Sequence, residues 1–183
     1  AGAVQPGDED DYFQSSLFTI ARRRILWLLI LVLANGLTTK VIAMNDQILK
    51  EIVLLAAFIP LLIGTGGNVG AQSSTVVIRG LSTQKLKSLG AMKAVLKESF
   101  TGAILGILMM LVVYPFAWWQ GEGPLIASAV GISLISITTL AATTGAILPL
   151  LFDRMRLDPA LMSSPFITTV TDIAGVFIYL STA

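Results

Sequence analysis

The sequence contains no cysteine and no histidine among its 183 residues. Their absence excludes disulfides, thiolate zinc sites, haem ligation by histidine and any catalytic triad that uses either residue. A metal ion handled by this chain must therefore be bound through oxygen atoms. Oxygen ligands suit hard cations such as Mg²⁺, Ca²⁺ or Mn²⁺.

Charged residues are also scarce. They make up 13% of the chain, hydrophobic residues make up 55%, and the mean hydropathy is +0.82. Because a soluble domain typically carries about 25% charged residues, this composition indicates an integral membrane protein. The net charge of +1 offers no electrostatic argument for binding nucleic acid.

Five apolar stretches are long enough to cross a bilayer, which takes roughly 20 residues. They comprise residues 25–44, 52–78, 100–119, 124–152 and 160–183. We expect helices, because a barrel would need short alternating strands. The predicted fold class is all-α, a transmembrane bundle of five helices over residues 21–183. Residues 1–20 are predicted to form a polar tail or linker remnant.

Basic residues cluster in alternate loops. Arginine and lysine are concentrated in segments 22–24, 79–97 and 154–156, whereas segment 120–123 carries Glu122 and no basic residue. The positive-inside rule then predicts a cytoplasmic N-terminus and an external C-terminus in a prokaryotic plasma membrane. Segment 85–100 has two interpretations: an amphipathic helix on the membrane surface, or a basic loop that leads into the third span.

A glycine-rich segment, Gly64-Thr-Gly-Gly-Asn-Val-Gly, lies inside the second span. It is not a phosphate-binding loop, because no Gly-Lys-Ser/Thr follows and the dinucleotide spacing is missing. One interpretation is close helix packing through Gly66 and Gly70, the role that we also expect for Gly102 and Gly106. The other is that Pro60 and the glycines loosen the helix and expose carbonyl oxygens to a water-filled cavity.

Asp172 is the only acidic residue deep within a span. A charge at that depth costs about 2.5–3.5 kcal/mol on insertion scales, so the carboxylate needs a local partner. Ser164, Thr168 and Asp172 follow one another at intervals of four, which places them on one helix face. A passing cation would be such a partner; the alternative is that Asp172 caps or bonds a neighbouring helix. An intramembrane aspartyl protease would need a second membrane carboxylate, which the other spans do not supply unless a dimer contributes Asp172 twice.

Two blocks of sequence resemble the membrane domain of the MgtE family of magnesium channels and transporters. The first is PLLIGTGGNVGAQSS at residues 60–74, followed by IRGL at 78–81. The second is DPALMSSP at 158–165, which leads to TDIAG at 171–175. The similarity extends over nearly all of residues 20–183.

The resemblance implies a homodimer whose pore lies on the dimer axis between the second and fifth helices, and which recognises Mg²⁺ with its water attached. Asp172 is then the central cation-recognising residue, and Thr168 and Ser164 contribute from the same face. The backbone of Gly64, Gly67 and Asn68 is expected to line the same site. The chain departs from close relatives at Ser164, where asparagine is expected, and it carries Thr168 where alanine can occur.

The family also has cytoplasmic regulatory domains that are absent from this sequence, so we expect either a truncated form or a short variant. The predicted function is magnesium-selective transport rather than an enzymatic reaction; selectivity against Mn²⁺ or Ca²⁺ rests on the resemblance alone. The alternative is a proton-coupled secondary carrier of a small solute that uses Asp172 as its proton site. A membrane anchor without transport would leave the costly Asp172 unexplained.

Overall fold

The computed structural model describes residues 16–44, 53–83 and 90–183, and within these ranges the chain is helical, with no strand. The predicted all-α class is confirmed. The helices are α1 Leu17–Met44, α2 Val53–Ser82, α3 Ala91–Ala117, α4 Gly123–Arg154 and α5 Pro159–Thr182. A π-helical turn, Trp118–Glu122, connects α3 to α4.

Four helical segments are long and apolar enough to cross a membrane. They are Leu55–Ser82, Ala91–Gln120, Gly123–Arg154 and Pro165–Thr182, and they match the second to fifth predicted spans. The apolar part of α1, Leu28–Met44, is shorter, so the first span stays a prediction. Because α3 begins at Ala91, residues 91–100 form the first turns of the third span instead of a separate surface helix. Residues 85–89 lie outside the described part of the chain.

Helix α4 lies at the centre of the bundle, where it contacts α2, α3 and α5. Its residues are apolar or small around the whole circumference, as expected for a helix with most of its surface against other helices or lipid. Fully buried positions include Ala127, Val130, Leu134, Ile137 and Ala141. The outer helix α1 packs against α5. This arrangement leaves α2 and α5 adjacent, each with one side on α4 and another side uncovered.

Glycines set the close approach of α4 to its neighbours. A Cβ atom added at Gly102 would lie 2.6 Å from the Ala142 side chain, and one at Gly106 would lie 2.5 Å from the backbone of Ile135. The packing role predicted for this pair is thus confirmed. On the other side of α4, a Cβ at Gly145 would overlap the carbonyl oxygen of Gly70 in α2. Helices cross this closely in membranes only where side chains are small.

Hydroxyl groups join the helices at a few points. The buried Tyr179 hydroxyl donates a hydrogen bond to the Leu55 carbonyl at 3.1 Å, which ties the end of α5 to the beginning of α2. The hydroxyls of Ser133 and Thr182 lie 2.7 Å apart between α4 and α5. Most other hydroxyls of α4 bond back to the preceding turn, as Thr139 does to the Ile135 carbonyl at 2.6 Å. These bonds satisfy hydroxyls within the bundle and do not make α4 a polar pathway.

Candidate cation site on α2 and α5

The two helices that carry the glycine-rich motif and Asp172 are antiparallel neighbours. Leu55 meets Tyr179 near one end of the pair, and Gly70 faces Ile167 further along. Two glycines of the motif allow α2 to pack closely, Gly66 against α4 and Gly70 against α5. A Cβ at Gly66 would lie 2.7 Å from Ile137, and one at Gly70 would lie 2.5 Å from Ile167. The packing interpretation is therefore confirmed for this pair.

The remaining predicted residues of the motif lie on a different side of α2. Gly64 and Asn68 are exposed, and Gly67 is half-buried. A Cβ at Gly64 would meet nothing within 4 Å, and one at Gly67 would meet only the Thr168 methyl at 4.0 Å. The motif thus contains two kinds of glycine. Gly66 and Gly70 pack against other helices, whereas no side chain closely covers the backbone at Gly64 and Gly67.

The expected loosening of α2 is wrong, because the helix continues unbroken from Val53 to Ser82 with Pro60 inside it. Proline removes a single backbone donor, and the remaining turns keep theirs. Glycine permits other conformations but does not impose them, and its helical cost of about 1 kcal/mol is offset where Gly66 and Gly70 allow close packing. The carbonyl oxygens near Gly64 therefore belong to a regular helix, with no side chain covering them at that residue.

On α5, Thr168 is exposed and its hydroxyl donates to the Pro165 carbonyl at 3.0 Å. Asp172, one turn further, is half-buried. Between them, the fully buried Thr171 hydroxyl donates to the carbonyls of Ile167 and Thr168. This hydroxyl is therefore satisfied within its own helix. Ser164 lies in α5, but its side chain is outside the described part of the structure. Because a Cβ added at Gly67 would point at the Thr168 methyl group, these two predicted site residues face each other across the helix pair.

The Asp172 carboxylate has no hydrogen-bond or ion-pair partner in the ranges that the structure describes. The alternative in which Asp172 bonds a neighbouring helix therefore gains no support. Nor do the described residues contain a group of three or more His, Cys, Asp or Glu side chains that could enclose a metal ion. Among the described residues, the helix pair thus contributes one carboxylate, one exposed hydroxyl on the preceding turn of α5 and exposed glycine backbone on α2, groups suited to an ion that keeps most of its water.

A groove of about 430 Å³ extends along the same two helices toward the C-terminal end of α2 and the N-terminal end of α5. Its polar lining comprises Ser74, Thr75, Arg79, Ser82 and Ser163. The polar cluster Ser73–Thr75 is recognisable in the sequence because it follows the glycines directly. Ser163 cannot be recognised in this way, because Ile167, four residues further along the same helix face, is apolar and interrupts any polar stripe.

Comparison with known proteins places these features in a family. The family model MgtE, described as "Divalent cation transporter", matches residues 59–182. A protein named Magnesium transporter MgtE from Thermus thermophilus is 39% identical over 160 residues, which is 87% of this chain and 35% of that relative.

Proteins of the same name from Bacillus subtilis and Enterococcus faecalis are 32% and 35% identical, over 96% and 89% of this chain. The chain spans only 35–39% of the length of these three relatives. The matched residues include the glycine-rich motif of α2 and Asp172 of α5, together with the central helix that holds them side by side. The chain therefore belongs to the MgtE family of divalent cation transporters.

Proposed function

We propose that this chain forms the membrane part of a magnesium transporter, in which hydrated Mg²⁺ passes between α2 and α5 and is recognised by Asp172. The observation that carries the proposal is the half-buried Asp172 carboxylate, which has no partner among the described residues and lies one turn from Thr168, the residue of α5 that faces Gly67 of α2. The names of three relatives as magnesium transporters support the choice of ion.

The chemistry of Mg²⁺ favours such a site. The ion gives up water reluctantly and usually keeps several water ligands. A site for it therefore needs few direct ligands, a fixed polar lining and negative charge. Asp172 supplies the charge, Thr168 and Ser164 supply hydroxyls, and the backbone around Gly64, Gly67 and Asn68 supplies carbonyl oxygens that can accept hydrogen bonds from bound water. No covalent step is required.

We further propose that two copies complete the pore. Symmetric dimers are the commonest oligomers, and the α2–α5 side is not covered by α3 or α4. Two Asp172 carboxylates facing each other across a two-fold axis repel one another, and a divalent ion between them relieves this repulsion. In this arrangement residues 21–183 cross the membrane five times with the N-terminus in the cytoplasm, and residues 1–20 precede the first span.

Ion flux into liposomes tests the proposal. Purified protein in vesicles that contain a Mg²⁺-sensitive dye is expected to admit Mg²⁺ without a proton gradient, and the same vesicles can be challenged with Mn²⁺ and Ca²⁺ to measure selectivity. A proton-coupled carrier would instead acidify the lumen in the presence of its solute and leave the dye signal unchanged. Vesicles whose dye signal matches that of protein-free vesicles would refute Mg²⁺ transport.

The proposed topology predicts opposite labelling at the two ends of α4. Because the chain lacks cysteine, Gln120→Cys and Met155→Cys each create a single thiol at an exposed position. In intact cells, an impermeant thiol reagent should label Gln120→Cys, while Met155→Cys should react only after the cells are opened. The reverse pattern would invert the topology.

The proposed dimer predicts a position-specific cross-link. Asn68 is exposed beside the candidate site, so Asn68→Cys is expected to form an oxidised dimer in the membrane. Leu111→Cys, on the exposed side of α3, is the matched control and should remain monomeric. Equal cross-linking at both positions would indicate random collision, and a species shown to conduct Mg²⁺ as a monomer would contradict the dimer-axis pore.

A further inference from the structure

A second groove, of about 540 Å³, lies where the C-terminal ends of α2 and α4 meet the beginning of α3. It shares no lining residue with the groove beside the candidate cation site. Its floor is formed by Leu81, Val95 and Leu150, which pack on the buried contact between Val77 and Ala146. The floor is thus part of the packed bundle.

The walls of this groove are apolar and open to the outside. Met92 is 70% exposed, Ile147 is 45% exposed and Leu151 is 46% exposed. All three belong to segments that are long and apolar enough to cross a membrane, where lipid is the medium that an exposed apolar side chain would face. The exposed apolar surface of α3 continues from Met92 through Leu96 and Phe100, which makes the groove one end of a lipid-facing surface.

One end of the groove is polar, with Arg154 and Asp153 in its lining. Arg154, in the last turn of α4, lines it and has no ion-pair partner within the described ranges. The first turn of α3 also lines it at Gly90 and Ala91, and no side chain caps this helix start. Outside the lining, Lys93 and Lys97 add two positive charges and Glu98 one negative charge along the first two turns of α3.

We propose that this groove, which is cytoplasmic in the topology proposed above, binds an anionic phospholipid of the cytoplasmic leaflet. The acyl chains would lie along Met92, Ile147 and Leu151, and the phosphate would contact Arg154 and the free N–H groups at the start of α3. Basic pockets between transmembrane helices on the cytoplasmic side are suited to anionic headgroups, and a helix N-terminus favours phosphate oxygens. An apolar trough that ends at a cation matches an amphiphile better than a soluble anion, which would leave the trough unfilled.

Lipid retention in native mass spectrometry tests the proposal on the unmodified chain. Protein incubated with equal amounts of phosphatidylglycerol and phosphatidylcholine is expected to keep phosphatidylglycerol preferentially. Arg154→Gln should lower that preference roughly fivefold, because a basic residue at the membrane surface contributes about that factor. Arg154→Lys should keep most of it. Arg156→Gln is the matched control, since Arg156 lies two residues away and does not line the groove.

Two further measurements distinguish a lipid seated in the groove from diffuse surface attraction and from a free phosphate. Ile147→Trp fills the trough without changing charge and should also reduce phosphatidylglycerol retention, which surface electrostatics alone would not predict. Glycerol 3-phosphate at millimolar concentration should not displace the lipid, whereas displacement would mean that the site binds free phosphate groups.

Equal retention of both lipids by the unmodified protein would overturn the proposal, and so would equal losses in the Arg154→Gln and Arg156→Gln variants. Mg²⁺ flux is measured separately in liposomes. Failure of the lipid site therefore leaves the proposed transport function untouched.

Discussion

Replacing Asp172 by asparagine is expected to remove most Mg²⁺ flux while the protein remains folded. The amide keeps the shape of the side chain and deletes the charge that attracts the cation and its water. Hydrogen bonds to a charged group contribute about 1.5–3 kcal/mol, so each lost carboxylate should weaken Mg²⁺ binding roughly 10- to 100-fold. If two copies face one ion, the loss applies twice. Stability should be unchanged or increased, because an intramembrane charge is costly.

The measurement is Mg²⁺ uptake into liposomes, with a thermal melting curve of the same purified variant. Asp153→Asn makes the same chemical change at an exposed position at the end of α4 and should transport normally. Thr168→Ala should reduce transport far less than Asp172→Asn, because a neutral hydroxyl contributes on the order of 1 kcal/mol. Normal flux through well-folded Asp172→Asn protein would remove Asp172 from the mechanism and return it to a packing role.

Two glycine-to-alanine substitutions are expected to have different effects: Gly145→Ala should lower stability, whereas Gly64→Ala should slow transport without lowering stability. In Gly145→Ala the new Cβ would overlap the carbonyl oxygen of Gly70, which belongs to the backbone and cannot rotate away. Overpacking of this kind costs about 1–3 kcal/mol, so α2 and α4 must move apart and the melting temperature should fall. In Gly64→Ala the methyl group meets nothing within 4 Å, and alanine is favoured in helices by about 1 kcal/mol.

The Gly64→Ala protein should therefore be at least as stable as the unmodified protein, yet transport Mg²⁺ more slowly. Its methyl group covers backbone on the side of α2 that the ion is proposed to pass. Loss of one neutral hydrogen bond to bound water, about 1 kcal/mol, corresponds to a reduction of roughly fivefold. Gly36→Ala, which also meets nothing within 4 Å but lies on α1, is the control. Full transport by Gly64→Ala would exclude this residue from the ion path.

The two interpretations of the glycine-rich motif illustrate how far a sequence pattern reaches. Close packing and exposed backbone are alternatives in the sequence, but the structure assigns them to different residues of one helix. Gly66 and Gly70 are covered closely by neighbouring helices, whereas a Cβ at Gly67 would meet only the Thr168 methyl at 4.0 Å and one at Gly64 would meet nothing within 4 Å. Helical periodicity alone gives the angle between these residues but not the direction in which the neighbours lie. Only the positions of Ile137 and Ile167 decide which glycines are covered.

Membrane insertion and the helical class were determined by the sequence alone, because apolar length and charge are summed along the chain and need no knowledge of contacts. The same holds for the spacing of Ser164, Thr168 and Asp172 along one helix. The tertiary structure decided that α4 is the central helix, that α2 remains unbroken at its glycines, and that Thr168 faces Gly67 across the helix pair. These features depend on contacts between residues far apart in sequence. Gly70 and Gly145 are an example: the absence of a Cβ atom at these residues matters only because the backbones of α2 and α4 meet at this point.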